Sequence, residues 1–320
     1  MNESAGNALP IVFGEALVDV FADTLVPGGA PFNVACHLAA LGARPLLITR
    51  FGDDAAGRML RDTADRCGLS LRGAQVNRAT ATVKVTERPD GHVFDIGSNQ
   101  AFDRIDAQAA ARVSAASPGP CWLYFGTLAL RDQASRDALA AVRRERAHRA
   151  YVDLNWRKSG PPPEIVLPLL RHVEVLKVSD DELGRLLDWL GLAPIGQAPL
   201  QDEYSEAIAG VAVELCLRHL LVSHGADGAS AWDPQGRCIA RAPAPPLDRL
   251  VDAVGAGDAF SAMMLAGLLR GRPAGAMLGQ AVAFASRSCS WRGALPEQVE
   301  VYQLWRDLLD DAPASRRSRA

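Results

Sequence analysis

Short apolar runs rich in β-branched and aromatic residues alternate along the chain with segments of helical period. Ile11-Val12-Phe13, Leu46-Leu47-Ile48, Trp122-Leu123-Tyr124-Phe125, Tyr151-Val152-Asp153, Val175-Leu176-Lys177-Val178 and Leu220-Leu221-Val222 read as strands. Helices are predicted over Asn33 to Leu41, Ala55 to Cys67 and Asp180 to Leu190, stopped by Gly42, Gly68 and Gly191. Pro163 suits a first helical turn. This βαβα rhythm predicts an α/β fold, with a central, mostly parallel sheet flanked by helices on both faces.

Two stretches break the rhythm. Val18 to Leu25 and Ala79 to Ile96 read as strand without crossover helices, and the second is folded back at Pro89-Asp90-Gly91. They predict a small β-sheet standing off the main body; the alternative is an edge hairpin of the main sheet. A later hairpin is expected from Ala229 to Trp232 and Cys238 to Ala240 around Pro234-Gln235-Gly236. Residues 1–9 and 311–320 read as frayed tails, the latter with a solvated Arg316, Arg317 and Arg319.

Composition narrows the class. Apolar residues are 48% and charged residues 22% of the 320, which excludes collagen-like and disordered chains. Lys+Arg 34 against Asp+Glu 37 gives a net charge of -3, so no basic field recruits nucleic acid or an anionic membrane, and a small-molecule partner is expected. The six cysteines are widely spaced, with no C-x-x-C, and read as buried thiols of a reducing compartment. Residues 1–9 show no secretory signal, and no apolar run approaches the ~20 residues of a membrane span. A cytoplasmic protein is expected.

The densest chemistry is Asp252-Ala253-Val254-Gly255-Ala256-Gly257-Asp258, followed at once by the helical run Ala259 to Leu269. Gly255, Ala256 and Gly257 would open that helix with free N–H groups and no obstructing side chains, which is an anion site. Asp258 falls in the first turn, where the helix dipole favours its ionised form. A carboxylate base beside an anion hole suits phosphoryl transfer. A Rossmann fingerprint does not fit, because Phe260 occupies the third glycine position and the string comes late in the chain. No Walker A string occurs. On its own, the string also reads as a glycine-rich turn.

The string resembles the C-terminal signature of the ribokinase-like (PfkB) carbohydrate kinases, commonly D-T-x-G-A-G-D. Gly28-Gly29-Ala30-Pro31-Phe32-Asn33-Val34-Ala35, with Phe51-Gly52-Asp53-Asp54-Ala55-Ala56-Gly57, resembles the family's N-terminal signature. Gly14 to Asp19, Phe125 to Leu130 and Asp153-Leu154-Asn155-Trp156-Arg157 are similar to segments of its fructokinase branch. Ala253 and Ser179 depart from the family's usual Thr and Asn. Independently of the likeness, these pieces follow predicted strands and so converge on one rim of the sheet.

The resemblance implies a ribokinase-like domain over residues 10–310 with a β lid from about 18–25 and 79–96, binding ATP and Mg²⁺. It implies that Asp258 is the base and that the amides of Gly255, Ala256 and Gly257 hold the transferring phosphoryl. Asp19, Gly29 and Asn33 would hold sugar hydroxyls; the alternatives are a solvated strand end for Asp19 and a helix cap for Asn33. Asn155 and Arg157, two apart, would both face the crevice if their segment is extended. Ser223, Gly225 and Gly228 would approach the nucleotide, and His224 between them has no assigned role. Glu182 would reach Mg²⁺ through water, or simply be the acidic first turn of its helix. Asp252, with carbonyls near Ala285 and Ser290, would hold a monovalent cation such as K⁺. D-fructose is the implied substrate, with ribose, 2-keto-3-deoxygluconate and a non-catalytic sugar sensor as alternatives. A homodimer is common among relatives, and aromatic residues at 6% weigh against a nucleoside acceptor.

Overall fold

The computed structural model describes residues 9–22, 24–88, 91–117, 121–145, 148–193 and 201–311. The first half holds β1 (Leu9–Phe13), β2 (Leu17–Val20), β3 (Leu25–Gly28), α1 (Ala30–Ala40), β4 (Leu46–Phe51), α2 (Ala55–Cys67), β5 (Ala74–Val76), β6 (Ala81–Arg88), β7 (Gly91–Asp95), α3 (Ala107–Ala115), β8 (Cys121–Phe125), α4 (Gln133–Glu145) and β9 (His148–Asp153). The second holds α5 (Pro163–Leu170), β10 (Val175–Ser179), α6 (Asp180–Leu190), α7 (Gln201–Leu215), β11 (His219–Ser223), β12 (Ala229–Trp232), β13 (Cys238–Ala242), α8 (Ala256–Leu269), α9 (Ala274–Ser288) and α10 (Gln303–Asp310).

Nine strands form the main sheet among the described residues, in the order β13-β12-β11-β10-β9-β8-β1-β4-β5. Strands β5 to β11 in that order are parallel, and β12 and β13 return antiparallel as the predicted late hairpin. A parallel sheet must be covered on both faces, so its strands carry apolar residues on both. In β1, Val12 packs into the core beneath α1, α8 and α9, while Ile11 and Phe13 pack into the core beneath α4, α6 and α7. Helices α2 and α6 stop at Gly68 and Gly191, as their sequences predict.

A second sheet, ordered β3-β2-β6-β7, stands apart from the first. It is therefore not an edge hairpin of the main sheet. The stretch expected as strand from Val18 to Leu25 is two strands, because the chain reverses where Phe21 N–H donates to the Thr24 carbonyl at 2.9 Å. Leu17, Ala81 and Val83 seat this sheet on Phe102, Leu128 and Ala129 of the body. The expected tails, apart from Leu9 and Asp311, and Pro89-Asp90 of the expected turn lie outside the described residues. Helix α1 starts at Ala30, about one turn before the predicted Asn33, because Pro31 is compatible with a first helical turn. No helix among the described residues is long and apolar enough to cross a membrane.

Candidate active site

The N-terminus of α8 lies at the carboxyl ends of the central strands. Gly255 precedes it with φ 80°, and a Cβ there would stand 2.4 Å from the Cβ of Ala294, so only glycine fits. The first regular helical bond runs from Ala259 N–H to the Gly255 carbonyl at 2.9 Å, leaving the amides of Gly257 and Asp258 without a helical acceptor. Ala256 differs from expectation: its N–H donates to the Ala253 carbonyl at 3.3 Å within the turn. The anion cradle is thus narrower than three consecutive free amides.

Asp258 is buried at the base of the cradle. Asn33, on the second turn of α1, donates from Nδ2 to Asp258 Oδ2 at 2.8 Å. Asn33 is therefore not the cap of its helix; Gly29 holds that place. The dipole argument expects a readily ionised Asp258, yet burial dominates and pushes its pKa up to about 7, helped by Asp153 and opposed by Asn33, Lys177 and Arg157.

Before the cradle lies a cavity of about 400 Å³ whose wall includes Asp19, Gly29, Asn33, Asn155, Arg157, Asp252, Gly255, Gly257 and Asp258. Residues from the small sheet, from α1 and α8, and from the loops before α1, after β9 and before α8 thus meet in one place. Asp19 points from β2, and Gly28 leaves room for its carboxylate, since a Cβ at that glycine would be 2.6 Å from Asp19 Oδ2. Burial raises Asp19 to about 6, against the pull of Arg157. Asn155 is not in an extended segment: β9 ends at Asp153, and Asn155 takes φ 35°. Asparagine tolerates this left-handed turn better than most residues, and it still turns both Asn155 and Arg157 to the cavity. The Arg157 guanidinium lies 5.6 Å from the Phe94 ring centroid, joining the body to β7 of the small sheet.

Three wall residues carry no role in the sequence reading. Glu15 is buried, its Oε2 has no hydrogen-bond partner among the described residues, and burial raises it to about 7 despite backbone N–H donors from its own residue and Ala30. Asp153 and Lys177 form a buried ion pair, with Lys177 Nζ 3.1 and 3.2 Å from the two carboxylate oxygens. A charged residue inside an apolar strand run is the signal that marks both.

Of the remaining expected residues only Asp252 is on the cavity wall; the others lie off it. Ser223 ends β11 and donates from Oγ to the Val178 carbonyl at 3.3 Å. Gly225 opens a single helical turn and faces open space. Gly228 answers to packing, because a Cβ there would be 2.0 Å from the Ala242 carbonyl of β13. His224 bridges Asp180 Oδ1 and Ser230 Oγ at 2.8 Å each, a structural placement. Glu182 accepts from Trp156 N–H and Ser179 N–H at 2.8 Å each, closing a capping box with Ser179. Asp252 accepts from Val254 N–H at 3.0 Å and Gly293 N–H at 2.9 Å, while the Ala285 carbonyl already accepts from Ser288 Oγ at 2.7 Å. No group of three or more His, Cys, Asp or Glu among the described residues is arranged to hold a metal.

A sequence model of the pfkB family carbohydrate kinases matches residues 4–299. The chain is 26% identical over 292 residues to a probable fructokinase-5 of Arabidopsis thaliana, covering 82% of this chain and 84% of the relative. It is 30% identical over 284 residues to an aminoimidazole riboside kinase of Salmonella typhimurium, covering 81% and 80%. Among solved structures, a fructokinase double mutant from Vibrio cholerae O395 in its fructose-, ADP- and potassium-bound form superposes with a TM-score of 0.75 at 23% identity, covering 94% of this chain and 99% of that one. The fold is ribokinase-like, and with both sequence signatures meeting at one cavity the chain belongs to the pfkB family of carbohydrate kinases.

Proposed function

We propose that the protein is a fructokinase, an alcohol-acceptor phosphotransferase that moves the γ-phosphoryl of ATP to a primary hydroxyl of free D-fructose. The observation that carries this reading is the buried Asn33–Asp258 pair at the mouth of α8, facing a cavity walled by sugar-type hydrogen-bonding groups. Asp258 takes the proton of the attacking hydroxyl, and a base poised at about 7 is matched to work near neutral pH. The amides of Gly255 and Gly257 hold the phosphoryl in flight, and Ala256 shapes the turn that aims them. Asp19, Gly29, Asn33 and Asn155 bind the sugar, and Arg157 anchors it beside the phosphate. The small sheet is a lid whose closure excludes water.

Ser223, Gly225 and Gly228 border the nucleotide. Mg²⁺ suits this donor set only as a companion of the triphosphate, whose charge it would neutralise, because the described residues offer no cage of carboxylates. Glu182, with both oxygens on backbone amides, would reach such an ion through water. Asp252 would hold K⁺, and the ADP and potassium bound to the Vibrio cholerae relative support a nucleotide and a monovalent cation as ligands.

The aminoimidazole riboside relative, at the higher identity of the two, supports a second reading with a riboside acceptor. ADP release measured with MgATP and fructose, ribose, 2-keto-3-deoxygluconate, glucose and aminoimidazole riboside, beside Asp258→Asn, separates these. Fructose turnover that Asp258→Asn abolishes supports the proposal. Riboside turnover alone moves the substrate and keeps the mechanism. Sugar binding without turnover makes the protein a sensor.

A further inference from the structure

Lys177 is 7% exposed and Asp153 1%, and a third side chain closes the group: Ser261 of α8 donates from Oγ to Asp153 Oδ2 at 2.9 Å. Such a pair is an expensive way to stabilise a core, since apolar residues of similar size do as well or better. This pair stands on the cavity wall. Lys177 Nζ lies 3.2 Å from the position that a Cβ on Gly257 would take, so the ammonium abuts the amide cradle directly. An ammonium has three N–H donors, and Asp153 takes two. No other protein acceptor is bonded to it among the described residues.

We propose that Lys177 is a catalytic residue, the cationic arm of the phosphoryl site, and that Asp153 is the residue that positions it. The inference rests on the kinase reading above. As the sugar oxygen bonds to the γ-phosphorus, the bond from that phosphorus to the β,γ-bridging oxygen breaks and its electron pair stays on ADP. The hydroxyl proton passes to Asp258. Lys177 keeps its three protons and places its free N–H on a phosphoryl oxygen, beside the Gly257 amide. Burial alone would pull Lys177 down, but Asp153, Glu182 and Asp258 hold it above the ordinary lysine range, so it stays charged. Lys177 comes from β10 and the cradle from α8, so two separate elements would hold the phosphoryl together.

The test compares Lys177→Met, Lys177→Arg and the double variant Lys177→Met/Asp153→Asn, in which no buried charge is left alone, with the unaltered protein. Expected for both Lys177→Met proteins is a kcat loss of roughly a hundredfold or more, with the sugar Kd by calorimetry held within about twofold. Lys177→Arg recovers part of kcat. Inhibition by ADP with aluminium fluoride and sugar weakens in step with kcat, while inhibition by ADP alone does not move. A purely structural pair would leave that split absent. Full turnover in either Lys177→Met protein, or undiminished fluoride inhibition, overturns the assignment alone. An unaltered protein that phosphorylates no sugar overturns the kinase reading and this proposal with it.

Discussion

Asn33 and Asp258 are 225 positions apart and meet through one hydrogen bond, Nδ2 to Oδ2 at 2.8 Å, in a buried site. The bond ties α1, which follows the small sheet, to α8, which carries the anion cradle. It also fixes the chemistry of Asp258, because a donor on a carboxylate oxygen favours the ionised form that burial disfavours. Base strength, raised above all by burial, is therefore moderated by a residue in the other signature.

The first prediction is a pH profile. A base must be unprotonated to accept the hydroxyl proton, so kcat/KM should rise with pH through about 7 and level off above it. Asn33→Ala removes a donor that lowers Asp258, so its rising limb should sit at higher pH. Asp258→Asn should lose roughly 10²–10⁴-fold in kcat at every pH. A limb that does not move in Asn33→Ala would detach Asn33 from the base.

Stability should run the opposite way. Asp258 rises from 3.8 to about 7 on folding, so its favourable contribution is complete below 3.8 and is lost as pH rises through 7. At pH 8 the ionised, buried carboxylate costs the fold on the order of 4 kcal/mol at most. Asp258→Asn keeps an acceptor for Asn33 and removes that charge. Thermal unfolding should therefore show a higher Tm for the inactive variant, with a gain that grows from pH 5 to pH 8. Glu15→Gln should share the sign, since Glu15 is also raised by burial. A lower Tm at pH 8 in both would mean that the carboxylates are better solvated than their burial implies.

Glu182 joins two segments, because its oxygens accept from Ser179 N–H at the head of α6 and from Trp156 N–H beside Asn155 and Arg157. Glu182→Ala should cost about 1 kcal/mol of stability, as loss of a helix cap does. It should also raise the sugar KM, because the loop that carries Asn155 and Arg157 loses a support. Titration with Mg²⁺ tests the second role proposed for this residue: the half-saturating concentration should rise severalfold. An unchanged Mg²⁺ requirement would leave Glu182 with the support role alone.

Much of this architecture is legible in local sequence because its causes are local. Buried parallel strands must be apolar on both faces, and Ile11 to Phe13 or Leu220 to Val222 show it directly. Gly255-Ala256-Gly257 before a helical run states a glycine-opened helix N-terminus in a few residues. Helix α3 goes unassigned because its sequence, AQAAARVSA, presents alanines where a stronger apolar stripe would announce a period. Asn155 escapes because the two-residue spacing to Arg157 assumes a strand that stops at Asp153. Asp153 looks like the end of one core strand and Lys177 like a lone charge inside another, and what joins them is a pairing across β9 and β10 that no short window contains.

Arg157 separates electrostatics from closure. Its charge lowers Asp258, Glu15 and Asp19, while its guanidinium packs 5.6 Å from the Phe94 ring on the small sheet. Arg157→Ala removes both effects, so the acidic limb of kcat/KM should move up and the sugar KM should rise. Phe94→Ala keeps the charge and removes the ring, so the limb should stay while KM rises by roughly two- to fivefold, the worth of one exposed cation–π contact. Arg157→Lys keeps a cation but not the flat face that stacks, and should resemble Phe94→Ala. If the small sheet closes over the sugar to exclude water, Phe94→Ala should also raise ATP hydrolysis relative to sugar phosphorylation. Measuring ADP and sugar phosphate in the same reaction gives that ratio, and a ratio unchanged in Phe94→Ala would show that the contact does not hold the lid.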